Sequence, residues 1–301
     1  MDIKFLFMDG RGRLRSGWRF AVFCAVFTFS ALLIGGLGFV LLTSLAGPLE
    51  PMEPKALVAN SVLILIPALL SGWLCGRVLE GLPFRALGAS FTKGWARNLV
   101  LGILVGAATL SFAVLIGFVF GGLRFAPNVV DSTALLKSLV IALVVFAIGA
   151  AWEEVLFRGY ILQTFARSGL AWFGILLTSV FFGVIHLQNP NADVISTTNT
   201  ILAGVWFGLA YLKTRDLWFV WGLHLMWNWM QGAFFGIEVS GLTNLVSIPL
   251  LKEIDSGPVW LTGETYGVEG GIVTTIAILV SIVVIYFLPF GKPSEEFRES
   301  T

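Results

Sequence analysis

The stretch LVIALVVFAIGAAWEEVLFRGY, residues 139–160, decides the fold class. Its first fourteen residues carry no charge, and it then presents Glu153, Glu154 and Arg158. An apolar run of this kind reads as a membrane-spanning helix. A carboxylate costs roughly 2.5–3.5 kcal/mol at the centre of such a helix and less near its ends. Three charges placed here therefore mark the first position at which to look for chemistry.

Composition carries the same reading to the whole chain. The 301 residues are 57% hydrophobic and only 12% charged, where a soluble domain is about a quarter charged. The net charge of +1 gives no global field for a nucleic-acid partner. Cys24 and Cys75 both lie in apolar runs and read as packing residues. Continuous apolar runs predict an all-α polytopic membrane protein rather than a barrel of alternating strands. Eight spans are expected, at about 18–44, 56–76, 98–123, 135–157, 170–187, 198–212, 217–236 and 270–290. Polar residues interrupt the fifth, sixth and seventh.

Basic residues predict the orientation. With the N-terminus inside, the inner set is Lys4, Arg11, Arg13, Arg15, Arg19, Arg77, Arg85, Lys93, Arg97, Arg158, Arg167, Lys213, Arg215, Lys292 and Arg298. The outer set is Lys55, Arg124, Lys137 and Lys252. The positive-inside rule then places both termini in the cytoplasm, and a bacterial cell membrane is the expected location. The longest outer loop, about 237–269, carries Glu238, Glu253, Asp255, Glu264 and Glu269. Pro67 is expected to kink the second span. Gly102 with Gly106, and Gly117 with Gly121, form two GxxxG pairs that predict close helix packing. Trp218, Trp221, Trp227 and Trp229 on the seventh span read as interface anchors or packing residues.

Helical geometry sorts the charges. Residues four apart share a face and neighbours are about 100° apart. Glu154 and Arg158 are thus expected to pair, leaving Glu153 without a local partner and as the better candidate for a base. Sixteen residues separate Glu153 from the turn at Gly169, and seventeen separate Gly169 from His186. In a helix hairpin those counts place Glu153 and His186 at similar depth, provided the fourth helix continues to about Arg167. His224 and Asn228, four apart on the seventh span, share a face and offer two donors of the kind a developing oxyanion requires. The chain has no GxSxG elbow and no HExxH helix. Glu153, His186 and His224 could also form a zinc site.

Taken together, EExxxR (Glu153, Glu154, Arg158), FxxxH (Phe182, His186) and HxxxN (His224, Asn228) resemble, in order and on successive apolar segments, the CAAX protease and bacteriocin-processing (Abi) family of intramembrane endopeptidases. The resemblance covers about residues 135–236 and implies a four-helix core there. Residues 1–134 form a cytoplasmic segment with three spans, and 237–301 an outer loop, last span and tail. By resemblance, Glu153 and His186 activate a water while His224 and Asn228 stabilise the oxyanion, with Glu154, Arg158 and Phe182 in support. The expected partners are a peptide or lipidated protein substrate and membrane lipid, with no cofactor. A zinc-dependent hydrolase on the same residues is the first alternative. A non-enzymatic transporter or immunity scaffold built around the same polar cluster is the second.

Overall fold

The computed structural model describes residues 4–10, 12–243, 245–255, 257–287 and 289. Arg11, Lys292 and Arg298 of the inner basic set, and the C-terminal tail, lie outside them, as does the side chain of Lys4. Each of the eight apolar runs forms a helix. Helix α1 runs over Ser16–Ser30 and continues through a π turn at Ala31–Gly35 into Gly36–Ala46. Helix α2 is Pro54–Glu80 and α3 is Trp95–Val119. Helix α4 is Ser132–Glu154, prolonged by a π segment at Val155–Ile161 and by Leu162–Ala166. Then follow α5 (Ala171–His186), α6 (Val194–Thr214), α7 (Leu217–Trp229, extended as a π segment over Met230–Phe235) and α8 (Ile272–Phe287). The protein is an all-α polytopic membrane protein. By length and composition, α1, α2, α3, α4 and α6 are each long enough to cross a membrane, whereas α5 and α8 are apolar but have sixteen residues each.

Local chemistry starts these helices where they start. The Asp131 carboxylate accepts from the Ala134 N–H at 2.8 Å, and Asp193 and Ser196 form a reciprocal capping box at the head of α6. Helix α2 ends at Gly81, whose φ of 71° suits the left-handed cap. Pro67 lies inside a continuous α2.

The first GxxxG pair packs as expected. Gly102 and Gly106 lie against the backbone of Phe219 and Leu223, and a Cβ on Gly222 of α7 would stand 2.6 Å from the Leu99 carbonyl oxygen. Helices α3 and α7 thus run backbone to backbone, the most extensive helix pairing in the bundle. Gly106→Val would push a branched side chain into the Leu223 carbonyl. It is expected to cost on the order of 1–3 kcal/mol in detergent unfolding, whereas Gly36→Ala, whose Cβ meets nothing within 4 Å, should leave stability intact. The second pair behaves differently. Gly117 packs on the Leu123 side chain and Gly121 turns the chain at φ 82°, so no second helix is gripped there.

Three further findings depart from the sequence reading, and the α7 tryptophans take the packing role that it allowed them. A two-stranded antiparallel ribbon, β1 (Leu123–Pro127) with β2 (Leu251–Asp255), ties the end of α3 to the loop between α7 and α8. Arg158, counted with the inner basic set, is fully buried among the helices. Arg19 is buried too; it pairs with Glu80, which also receives Arg167 at 2.9 Å. The α7 tryptophans act as staples: Trp218, Trp221 and Trp229 donate their indole N–H to the carbonyls of Ser90, Ala147 and Leu139. Arg19 and the three tryptophans find their partners across the bundle, which helix periodicity does not specify.

Asp216, between α6 and α7, is buried; it accepts from Asn98 at 2.6 Å and from the Trp218 N–H at 2.8 Å. Burial pushes its carboxyl up to about 6, against the pull of those hydrogen bonds. The folded state therefore holds this proton more tightly than the unfolded chain, whose carboxyl titrates near 3.9. Its contribution is full below about pH 4 and is lost as the pH rises through 6, on the order of 2–3 kcal/mol. Asp216→Asn keeps the cap and should flatten unfolding stability between pH 4 and 7. An equally steep fall in the variant would place that pH dependence elsewhere.

Candidate active site

The two adjacent glutamates leave α4 in different directions, because neighbours on a helix are about 100° apart. Glu154 is 1% exposed and Glu153 is 15% exposed. The expected Glu154–Arg158 pair forms at 3.1 Å. A second bond was not foreseen: Glu154 Oε1 also stands 2.8 Å from His224 Nδ1 on α7. A carboxylate only accepts, so Nδ1 is the donating nitrogen of that ring. His224 Nε2 is then turned to Glu153 Oε2 at 3.6 Å. Glu153 therefore has a partner, but one from another helix. The gap is too long for a hydrogen bond and leaves both atoms available to a bridging water or reactant.

Arg158 holds this arrangement from behind. Its Nη1 binds Glu154, and its Nη2 donates to the Gly204 carbonyl of α6 at 3.1 Å. The guanidinium lies 5.2 Å from the ring centres of Phe182 and Phe207 and 5.7 Å from that of Phe157. Phe207 also stacks on the His224 ring at 4.5 Å. Phe182, the first residue of FxxxH, is thus a wall shared by Arg158, His186 and His224. All of this sits where α4 becomes π-helical, at Val155–Ile161. One-turn π segments re-aim side chains and recur at functional sites.

Helix α4 continues to Ala166, as the hairpin count requires, and α5 returns to end on His186. His186 Nδ1 is 2.7 Å from the Phe182 carbonyl oxygen. That oxygen only accepts, so Nδ1 is the donating nitrogen of that ring. No hydrogen bond or ion pair joins His186 to Glu153 among the described residues. His186, His224 and Asn228 instead share a cavity of about 30 Å³, above the 10–15 Å³ that one water requires. Glu153 does not line this cavity and meets the site at His224.

Five polar residues that the motifs do not contain also line the cavity: Asn199, Thr200, Ser240, Glu269 and Thr274. Glu269 accepts from the Trp227 indole at 3.1 Å and from the Ser240 N–H and hydroxyl at 2.6 and 2.8 Å. Asn199 donates to the carbonyls of Glu269 and Gly271 at 2.8 and 2.9 Å. The loop between α7 and α8 is in this way fastened over the cavity. The signals available in the sequence were an asparagine inside an apolar helix and an acid in the outer loop, about seventy residues apart, and no spacing rule connects them.

A second space of about 310 Å³ lies between α2, α4 and α7. Leu65, Leu69, Ala151, Leu217 and Trp221 line it, and Glu154 borders it. Glu154 thus borders the apolar slot and, through His224, reaches the small cavity. No three His, Cys, Asp or Glu side chains gather as a metal-binding group among the described residues.

Residues 135–230 match the family model described as type II CAAX prenyl endopeptidase Rce1-like, which bears out the resemblance carried by the three motifs. The chain is also 28% identical over 167 residues to a Bacillus subtilis (strain 168) protein named "Uncharacterized protein YyaK". That alignment covers 55% of this chain and 53% of the relative, so the chain spans about half the length of the curated protein it matches.

Proposed function

We propose that this protein is an intramembrane endopeptidase that hydrolyses peptide bonds of membrane-associated substrates. In this reading Glu153 and His186 draw the proton from a water, and the resulting hydroxide attacks the scissile carbonyl. His224 and Asn228 hold the oxyanion until the C–N bond breaks and the proton passes to the leaving amine. The observation that carries the reading is the Glu154–His224–Glu153 chain beside a cavity of water size that His186 and Asn228 also line. For His224 Nε2 to donate to an oxyanion, the ring must carry both protons.

The apolar slot beside Glu154 supports a substrate that brings an apolar or lipidated segment to the site, with the polar cavity supplying water on the other side. The bias of basic residues supports a cell-membrane location with the N-terminus in the cytoplasm.

The test is cleavage of membrane-anchored peptides by the protein in liposomes, with the new termini mapped by mass spectrometry. Asn228→Ala should lower kcat by 10²–10³, the usual loss on removing one oxyanion donor, with KM little changed. Equal turnover by the variant would remove Asn228 from the reaction. Metal analysis of the same samples separates the zinc alternative: stoichiometric zinc, with activity lost to a chelator and restored by zinc, would establish that mechanism instead.

A further inference from the structure

We propose that Glu269 is a positioning residue that seats Asn228 through its neighbour Trp227. Glu269 lies on the loop between α7 and α8, outside the residues that the family model matches. The inference rests on the oxyanion role given to Asn228 above. Among the described residues, no hydrogen bond holds the Asn228 side chain. Asn228 stands on the last α-helical turn of α7, just before the π segment at Met230–Phe235. Where its amide points is therefore set by that turn. Trp227, 4% exposed, grips the same turn from the side. Its indole N–H donates to Glu269 Oε1 at 3.1 Å, and its ring stands edge-on to Trp206 of α6 at 5.6 Å. Trp206 in turn donates to the Ser281 hydroxyl of α8 at 3.1 Å.

The other end of this tie is fixed independently of α7. Asn199 of α6 donates to the main-chain carbonyls of Glu269 and Gly271, and its own Oδ1 accepts from Thr275 of α8. A Cβ on Gly271 would stand 2.1 Å from the Leu261 carbonyl oxygen, so the chain after Glu269 is pressed against another turn of the loop. The Glu269 backbone thus has little room to move, and its carboxylate reaches from α6 and α8 across to α7. The Ser240 N–H and hydroxyl donate to the second oxygen at 2.6 and 2.8 Å. Three donors converge on one carboxylate, and charge-assisted bonds of that kind are roughly twice as strong as neutral ones. The same side chain lines the cavity with His186, His224 and Asn228. A displacement of about 1 Å in an aligned site can cost 10²-fold in rate, so a rigid clasp one residue from Asn228 bears directly on turnover.

The test compares Glu269→Ala, Asn228→Ala and the double variant in liposomes with a membrane-anchored peptide substrate. Glu264→Gln, an exposed acid on the same loop, is the control. Glu269→Ala is expected to lower kcat by roughly 10²-fold with KM little changed. Because Glu269 acts through Asn228, the double variant should turn over no more slowly than Asn228→Ala. Losses that multiply in the double variant would overturn the proposal, since a group acting on the reactants by itself, or a general loss of fold, would produce them. A second readout does not depend on proteolysis. With ¹⁵N-labelled tryptophan and asparagine in detergent, the Trp227 indole and Asn228 amide signals are assigned from Trp227→Phe and Asn228→Ala. Both should shift in Glu269→Ala and stay in Glu264→Gln. An Asn228 signal that stays while the Trp227 signal moves would overturn the positioning role, whatever the wild type cleaves. Coupled shifts in a protein that cleaves nothing would refute the assigned reaction and leave Glu269 seating Asn228. Should Glu269→Ala fail to fold, Glu269→Gln serves, because its amide offers one accepting oxygen where the carboxylate offers two. A several-fold lower kcat with the same coupled shifts is then expected, and neither change overturns the proposal.

Discussion

Glu153→Gln is expected to abolish measurable peptide hydrolysis, lowering kcat by 10²–10⁴, while the protein inserts and unfolds as the wild type does. The range is that of a general base removed from a transition state. The structural half of the expectation follows from the position of Glu153. It is the more exposed of the two glutamates, and its partner in the site, His224 Nε2, is 3.6 Å away, beyond hydrogen-bond range. An amide of the same shape loses the proton-accepting charge and little packing. The measurement is turnover of a confirmed membrane-anchored substrate alongside Tm in detergent. Full activity in the glutamine variant would refute the assignment of Glu153 as base. Loss of both activity and Tm would make Glu153 a structural residue.

Arg158→Met is expected to be the most destabilising single change near the site, by about 3–5 kcal/mol, the cost of breaking a buried ion pair from one side. The change leaves Glu154, which is 1% exposed, with the His224 ring in place of its ion pair, and removes the donor to the Gly204 carbonyl that ties α4 to α6. It also empties the space between the Phe157, Phe182 and Phe207 rings. The double variant Glu154→Gln/Arg158→Met leaves no unbalanced carboxylate there and should recover part of that loss. Thermal unfolding of the two variants decides the matter. If the double variant is less stable than Arg158→Met, the penalty comes from packing and not from the stranded charge.

These expectations also separate what could be read along the chain from what could not. Residues four apart on one helix meet regardless of what surrounds them, so the Glu154–Arg158 pair was legible from spacing alone. The same rule sent Glu153 away from Arg158, but it could not say that His224, some seventy residues later, would stand between the two glutamates. The extended fourth helix was legible as a condition of the hairpin count; its π segment, which sets where these side chains aim, was not. The GxxxG pair at Gly102 and Gly106 found the backbone of α7, whereas Gly117 and Gly121 had the same spacing and turned a loop instead.

What the chain determined by itself is therefore its class and its short-range pairs. Lipid-length apolar runs can only be helices, because every backbone polar group must be satisfied within the segment, and i, i+4 geometry then places local partners. Tertiary structure alone decided that Asn199, Ser240 and Glu269 cover the cavity and that one histidine bridges both glutamates. Those contacts join segments tens of residues apart. They form because buried polar groups must find partners wherever packing brings them, a requirement with no period for a linear pattern to display.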